Sequence, residues 1–226
     1  MRAVYAERML LTKYTHACVR LEQAGQALVI DPGVFSESSV ALNGVDAILV
    51  THEHADHIDQ EAVLSSLREN TRVVLYAPSG LAATLREAAP EAAEQIQDAA
   101  PGDEFSTAGF QIRCFGGQHA LIHTSIPVIA NVGYVVNDSV YHPGDSFSVP
   151  HGLQVKTLLV PVHAPWSKVE EVVDFVVSVR APHAFQIHDS LLTETGLGFT
   201  ESHIGRIGAL HGTEFRHLAS GESVEI

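Results

Sequence analysis

The stretch from Ile48 to His57 reads ILVTHEHADH and is the most informative part of the sequence. A fully apolar run typical of a buried strand ends here, and four potential metal ligands follow within six residues. His52 and His54 are one residue apart, so an extended turn points both imidazoles at one ion. Asp56 and His57 follow where a helix is predicted to begin, and they can face a second ion. A loop rich in histidine by chance is the alternative, but it would lack the interleaved aspartate and the buried strand.

A centre with two metal ions needs more ligands than one loop provides, and three other strand ends offer them. His119, Asp145 and His188 each lie at or just beyond the end of a predicted apolar strand. Folds of alternating strands and helices place their sites at such strand ends, so we expect these side chains to converge on the 52–57 loop. His123 competes with His119, which we prefer because it lies closer to the strand and its glycine pair.

The predicted elements around this stretch indicate an α/β fold. The clearest helix spans 167–180, where five valines recur at helical spacing. The remaining prediction is a β-hairpin over 17–31, strands at 47–50, 72–76, 110–115, 131–136, 139–141, 157–160 and 184–187, and helices at 58–69 and 79–88. This order suits two sheets packed face to face with helices outside, although the order alone does not exclude a doubly wound sheet.

The composition limits the classes of function. The chain has 226 residues and a formal net charge of −14, which argues against a nucleic-acid partner because phosphate backbones are repelled. Its two cysteines, Cys18 and Cys114, lie in apolar runs and are predicted to be buried free thiols. Residues 1–11 show no signal-peptide pattern, and no apolar run is long enough to span a membrane. We therefore expect a cytoplasmic protein; the sequence gives no prediction of its oligomeric state.

The order of these ligands resembles the metal signature of the metallo-β-lactamase superfamily. The resemblance runs from about Thr15 to His188, most of the chain. It is greatest to the branch of ascorbate-6-phosphate lactonase-like proteins and uncharacterised metal-dependent hydrolases. In that branch a short histidine-containing pair precedes a strand and a turn, as Thr15-His16 and the 28–32 segment LVIDP do here. The segment YHPGDS at 141–146 also resembles that branch.

The resemblance implies a fold and a ligand set. The fold is a four-layer αβ/βα sandwich of two mixed sheets with helices outside, as one domain over 1–226 with similar halves at roughly 1–125 and 126–226. Two divalent metal ions are implied, with zinc expected and manganese or iron as alternatives. The first ion would be bound by His52, His54 and His119, the second by Asp56, His57 and His188, and Asp145 would bridge them.

The implied activity is hydrolysis of a small ester, lactone or phosphodiester. Two cations sharing a bridging water lower its pKa towards ~7, and the resulting hydroxide attacks the substrate. Asp56 is the predicted catalytic residue, since it can orient the hydroxide and receive its proton. We expect a small anionic substrate, because dications attract phosphate and carboxylate. A di-iron oxidoreductase is one alternative. The first motif of such proteins resembles His-x-Glu-x-Asp, and here His54 takes the place of the glutamate, which argues against this alternative. A non-catalytic metal-binding protein is the other.

Four further residues are candidates for the pocket or for orienting the ligands. Asp31 ends a strand and can orient a ligand imidazole, or it can cap the turn with Pro32. His16 can line the pocket or be a structural histidine at a strand end. His163 and Trp166, in a proline-bounded loop after a strand, can shape the pocket, although a cover for the core is the preferred role of Trp166.

Overall fold

Two seven-stranded sheets form the centre of the fold. The computed structural model describes residues 8–226, so most of the stretch in which we looked for a signal peptide lies outside the described residues. Along the chain the strands are β1 Leu10–Lys13, β2 Val19–Gln23, β3 Gln26–Ile30, β4 Ala47–Leu49, β5 Val74–Ala77, β6 Ile96–Asp98, β7 Glu104–Thr107, β8 Phe110–Gly116, β9 Val132–Val136, β10 Val140–His142, β11 Thr157–Pro161, β12 His183–Ile187, β13 Glu214–Arg216 and β14 Ser223–Glu225.

The two sheets have closely similar connectivity. The first has the strand order β14-β1-β2-β3-β4-β5-β6, and the second has the order β13-β12-β11-β10-β9-β8-β7. In the first sheet β3, β4, β5 and β6 run parallel, and β10, β11, β12 and β13 run parallel in the second. Both sheets also contain antiparallel pairs, so both are mixed, as the sequence predicts.

The helices pack on the outer faces of the two sheets. They are α1 Ser38–Ala41, α2 Gln60–Glu69, α3 Ser79–Ala88, α4 Val169–Val179 and α5 Glu194–Leu210, with a short 3-10 turn at Pro90–Gln95. The first three contact the first sheet and the last two contact the second. With the sheets between them, these helices give the four-layer αβ/βα sandwich that the resemblance implies.

The core lies between the sheets and beneath each helix layer. Side chains alternate along a strand, so in β3 Leu28 and Ile30 face the other sheet while Val29 faces the helices. The central cluster joins Leu49 of the first sheet to Tyr134 of the second. All of these residues are fully buried, which explains why the central strands read as continuous apolar runs rather than alternating ones.

The parallel strands place their carboxyl ends at one edge of the sandwich. The loops that follow β3, β4, β10, β11 and β12 therefore leave the two sheets on the same side. The loop after β8 leaves on that side too, because β8 is separated from β10 by one antiparallel strand. The predicted ligands lie on these loops. Among residues 8–226, none of the helices combines the length and the apolar character needed to cross a bilayer.

Candidate metal centre

The loop after β4 carries four of the predicted ligands and is held by hydrogen bonds at both ends. At its start, Asp31 accepts hydrogen bonds from the Thr51 backbone N–H and hydroxyl, both at 2.7 Å. At its end, the backbone N–H of His57 donates to the His54 carbonyl at 2.9 Å, and the Asp59 side chain caps the first turn of α2. The loop therefore makes a compact turn between a buried strand and a helix.

The first group of side chains gathers around His52. Its Nε2 lies 3.1 Å from Nδ1 of His54, and the rings of both contact the ring of His119, with centroids 4.9 Å and 4.7 Å away. Nε2 of His119 lies 3.3 Å from Oδ2 of Asp145. One donor atom from each of these four residues falls within 4.8 Å of the others, which is the spacing of a metal site. We call this group the first cluster.

The second group lies beside the first and contains His16, Asp56, His57 and His188. Oδ2 of Asp56 lies 3.0 Å from Nε2 of His16, 3.5 Å from Nε2 of His188 and 4.0 Å from Nε2 of His57. Their donor atoms also lie within 4.8 Å of one another. The imidazoles are fully buried or nearly so, while the Asp56 side chain is 21% exposed and opens the cluster to solvent. We call this group the second cluster.

Asp145 lies between the two clusters. Its Oδ1 is 3.0 Å from Nε2 of His57, and its Oδ2 is 3.1 Å from Nε2 of His188 and 3.3 Å from Nε2 of His119. One carboxylate thus reaches donors of both clusters. The backbone N–H of Asp145 donates to the side-chain carbonyl of Asn131 at 3.0 Å, which fixes this turn.

The inner donor atoms lack hydrogen-bond partners, which fits metal binding. In residues 8–226, six buried side-chain N and O atoms form no hydrogen bond, and four of them face the centre. They are Nε2 of His57, His119 and His188, and Oδ1 of Asp145. A buried polar atom without a partner costs about 1–3 kcal/mol, so four at one point would be a large penalty for a structural site. Metal ions would satisfy all four.

The outer nitrogens of the three cluster histidines named above are, by contrast, hydrogen bonded. Nδ1 of His57 lies 2.7 Å from Oδ2 of Asp31, and Nδ1 of His188 lies 2.6 Å from the His163 carbonyl. Nδ1 of His119 lies 2.6 Å from the carbonyl of the next residue. Donation by an Nδ1–H leaves the lone pair of Nε2 directed into the centre, the tautomer that binds metals. Of the two roles considered for Asp31, orienting an imidazole or capping the turn with Pro32, the contact with His57 favours the first.

The two carboxylates of the centre are held in their ionised form. Burial raises the pKa of Asp56, but the hydrogen bond with His16 and the charges of His57 and His188 together outweigh burial and bring the pKa to about 2. Burial would likewise raise the pKa of Asp145, yet the charges of His57 and His188 hold it well below its usual range. Two ionised carboxylates at one buried point attract positive charge, as a cation site requires.

The imidazoles respond to the same surroundings. Burial lowers the pKa of His52 well below its ordinary value and lowers that of His54 as well, so both rings are neutral and have a lone pair to offer. Burial acts in the same direction on His57, but Asp145 and Asp31 outweigh it and hold the pKa of His57 well above its ordinary value. His57 is thus the ring whose protonation competes most strongly with metal binding.

Two glycines allow the loops to approach each other closely. A Cβ on Gly33 would lie 1.8 Å from the backbone oxygen of Asp56, so only glycine fits beside the 52–57 loop. Gly144 has a φ of +63°, and a Cβ there would lie 2.3 Å from the Asn131 side-chain oxygen. The glycine in the GD pair at 144–145 is therefore required both by its backbone conformation and by this contact.

The remaining candidates divide between the centre and its surroundings. The Trp166 indole N–H donates to Oδ2 of Asp145 at 3.0 Å, so this side chain contacts the centre and also packs on Phe147. The His163 carbonyl holds Nδ1 of His188, and the His163 side chain is half-buried. His123 bonds to the Ser125 hydroxyl at 2.7 Å and belongs to neither cluster, so the geometry favours His119.

Sequence reasoning missed two supports of the centre. Asn131 uses both ends of its amide, accepting from the Asp145 N–H and donating to the Pro143 carbonyl at 2.9 Å. Lys13 is fully buried and forms an ion pair with Asp189 at 3.2 Å, directly beyond His188. A lysine in a strand otherwise lined by buried residues was the available signal, because a buried lysine needs a carboxylate partner.

Comparison with known proteins places this site in a family. The model of the β-lactamase superfamily domain matches residues 10–188. Protein Rv0786c of Mycobacterium tuberculosis is 38% identical over 221 residues, 96% of this chain and 99% of that protein. A UPF0173 metal-dependent hydrolase of Aeropyrum pernix is 28% identical over 156 residues, 60% of this chain and 61% of its own length. The structure of Igni18, described as a novel metallo hydrolase from Ignicoccus hospitalis, is similar with a TM-score of 0.73 at 17% identity, covering 97% of this chain and 98% of that chain.

Proposed function

The chain belongs to the β-lactamase superfamily and is a metal-dependent hydrolase, and we propose that it uses two metal ions, one at each cluster, with Asp145 bridging them. The assignment of seven ligands follows the sequence prediction. His52, His54 and His119 would hold the first ion, and Asp56, His57 and His188 the second. Zinc is the expected metal, with manganese or iron as alternatives.

One observation carries this proposal. Asp145 reaches donors of both clusters within 3.3 Å, and its Oδ1 and three surrounding imidazole nitrogens are buried without a hydrogen-bond partner. These nitrogens lie 3.0–3.3 Å from the Asp145 carboxylate, yet they do not form the hydrogen bonds that a polar cluster without a metal would be expected to form. A bridging carboxylate between two sets of histidines is instead the arrangement of a two-metal hydrolytic centre.

The chain's own residues set up the reaction around that centre. Bound metal ions would supply an activated water at neutral pH and polarise the scissile group. Asp56 is ionised and partly exposed, so its carboxylate can orient the attacking water and take up its proton. Asp31 and the His163 carbonyl keep two imidazoles in the correct orientation. Trp166 restrains Asp145 through its indole N–H.

The proposed substrate is a small, anionic ester, lactone or phosphodiester. The net charge of −14 opposes binding of a polyanion such as a nucleic acid. Among the ion pairs of residues 8–226, none joins a lysine or arginine to either cluster, so attraction of a phosphate or carboxylate would rest on the metal ions themselves. A single ester or lactone carbonyl, or one phosphodiester, is the group that such a centre accommodates.

The test is hydrolysis of a chromogenic panel by protein loaded with zinc or manganese. The panel holds a nitrophenyl ester, a bis-nitrophenyl phosphodiester and an acyl lactone. We expect turnover of at least one member, and a loss of at least about 100-fold in Asp145→Ala. Asp174→Ala, an exposed carboxylate on α4, is the matched control and should keep full activity. Equal turnover by the two variants would contradict the proposal.

A further inference from the structure

We propose that His16 is itself a ligand of the second metal ion, which gives that site one more donor than the seven-residue set provides. The inference rests on the proposed two-metal function and concerns the chemistry of its second site. Its basis is the position of one buried nitrogen and the way in which the chain holds it.

His16 projects its Nε2 into the second cluster. The atom lies 3.0 Å from Oδ2 of Asp56, and the His16 ring centroid lies 4.0 Å from that of His188 and 5.8 Å from that of His57. Its side chain is fully buried, and its donor atom falls within 4.8 Å of the donors of all three other members. Nε2 of His16 therefore lies where a ligand of the second metal ion would lie.

The chain also supports His16 in the manner of the other ligand histidines. Its outer Nδ1 lies 2.7 Å from the Ser190 hydroxyl, just as those of His57, His119 and His188 have an oxygen partner. Its backbone N–H donates to Asp189 at 3.0 Å, and buried Lys13 pairs with that carboxylate. His16 adopts a φ of +65°, an uncommon conformation for a residue other than glycine. Several contacts thus hold the ring where Nε2 meets the cluster.

The proposal makes the two sites chemically unequal. The first cluster offers three imidazoles and the shared carboxylate, the four-donor set of a tetrahedral zinc site. The second would offer five donors, namely His16, His57, His188, Asp56 and Asp145. Five nitrogen and oxygen donors exceed the tetrahedral number and favour an ion that accepts higher coordination, such as Mn²⁺ or Fe²⁺. The second site should therefore select manganese or iron more strongly than the first.

The competing role for His16 is to donate a hydrogen bond to Asp56 without touching a metal. Glutamine distinguishes the two roles, because its side-chain amide can donate to Asp56 but is a poor ligand for these ions. The variants are therefore His16→Gln and His16→Ala, tested with Mn²⁺ as the probe. His123→Gln is the matched control, since His123 belongs to neither cluster. Circular dichroism establishes that each variant is folded.

Two measurements give the result. Equilibrium dialysis against Mn²⁺ should show a loss of at least about 100-fold in affinity at one of two sites in both His16 variants, and none in His123→Gln. Pulsed electron paramagnetic resonance should count three imidazole nitrogens on the second-site Mn²⁺ in the wild-type chain and two in His16→Gln. Wild-type affinity and an unchanged nitrogen count in folded His16→Gln would overturn the proposal. If the proposed two-metal function is wrong, the wild-type chain itself will lack hydrolytic activity or will not bind a second Mn²⁺. That result is distinct from an unchanged second site in the His16 variants.

Discussion

Replacing Asp31 with asparagine should weaken metal binding at the proposed centre, although Asp31 belongs to neither cluster. The substitution keeps the side chain's shape, and asparagine tolerates the φ of +51° at this position. The wild-type carboxylate is fully buried and takes three contacts at 2.7 Å, with the Thr51 backbone N–H, the Thr51 hydroxyl and Nδ1 of His57. An amide has only one oxygen with which to replace two.

Both orientations of the new amide carry a cost. If its NH₂ takes the place of Oδ1, it meets the Thr51 backbone N–H, and a buried donor loses its acceptor at about 1–3 kcal/mol. If its NH₂ takes the place of Oδ2, Nδ1 of His57 must accept rather than donate. The proton of His57 then moves to Nε2, the nitrogen that faces the centre, and the ring no longer binds a metal in that tautomer.

The assay combines urea unfolding with metal titration. We expect Asp31→Asn to lose about 1–3 kcal/mol of stability without metal and about 10–100-fold of affinity for the second ion. Asp46→Asn is the control, because Asp46 also accepts a backbone N–H, that of Ala27 at 2.9 Å, but contacts no histidine. It should keep wild-type metal affinity. Wild-type stability and metal affinity in Asp31→Asn would show that the Asp31 carboxylate is not needed to hold Thr51 and His57.

Three further results are expected. Gly33→Ala should displace the 52–57 loop and lower metal affinity at least about 10-fold in equilibrium dialysis. Gly80→Ala is the control, because a Cβ on Gly80 would meet no atom within 4 Å. Equal affinities in the two variants would contradict the packing of Gly33 against the loop. Burial raises the pKa of the Cys18 and Cys114 thiols from 9.0 to about 12, so the thiolate fraction at pH 8 falls about 1000-fold and a thiol reagent should label them only after unfolding. Labelling of the folded chain at the unfolded rate would count against that burial. Trp166→Phe should weaken metal binding about 10–100-fold while the fold persists, and unchanged binding would show that the indole N–H is dispensable.

The same two thiols predict the direction of an alkaline pH dependence. Their folded pKa is raised above the unfolded value, so their contribution to stability is complete below pH 9 and is lost as the pH rises from 9 towards 12. Urea unfolding at pH 8 and pH 10 should therefore give a lower free energy of unfolding at the higher pH.

The sequence predicted the elements that have a strong periodic or apolar signal. The buried strands β4, β9, β11 and β12 and the helices α2, α3 and α4 were all expected within a few residues of their observed bounds. The two free cysteines are buried, as predicted. The helix α5 was missed, since Gly196, Gly198, Gly205 and Gly208 interrupt its pattern and glycine opposes a helix. Packing against α4 stabilises it instead, which local sequence does not reveal.

Contacts between residues far apart in the chain were the other feature that could not be predicted from the sequence. The C-terminal strand β14 joins the first sheet beside β1, more than two hundred residues earlier. The support of the centre has the same character, since His16 meets Asp56 and Ser190, and Trp166 meets Asp145. Residue type and spacing identify candidate ligands that follow strand ends, but partners from distant loops become evident only when the strands are assembled.

The number of metal ions that each chain binds distinguishes a two-metal centre from every other use of the two clusters. The chain should be purified without chelator and analysed for all first-row transition metals, then again after dialysis against zinc, manganese or iron. We expect close to two ions per chain, and a marked loss of bound metal in Asp145→Ala because that carboxylate reaches both clusters. A wild-type chain that holds no more than one ion after every addition would contradict the two-metal centre.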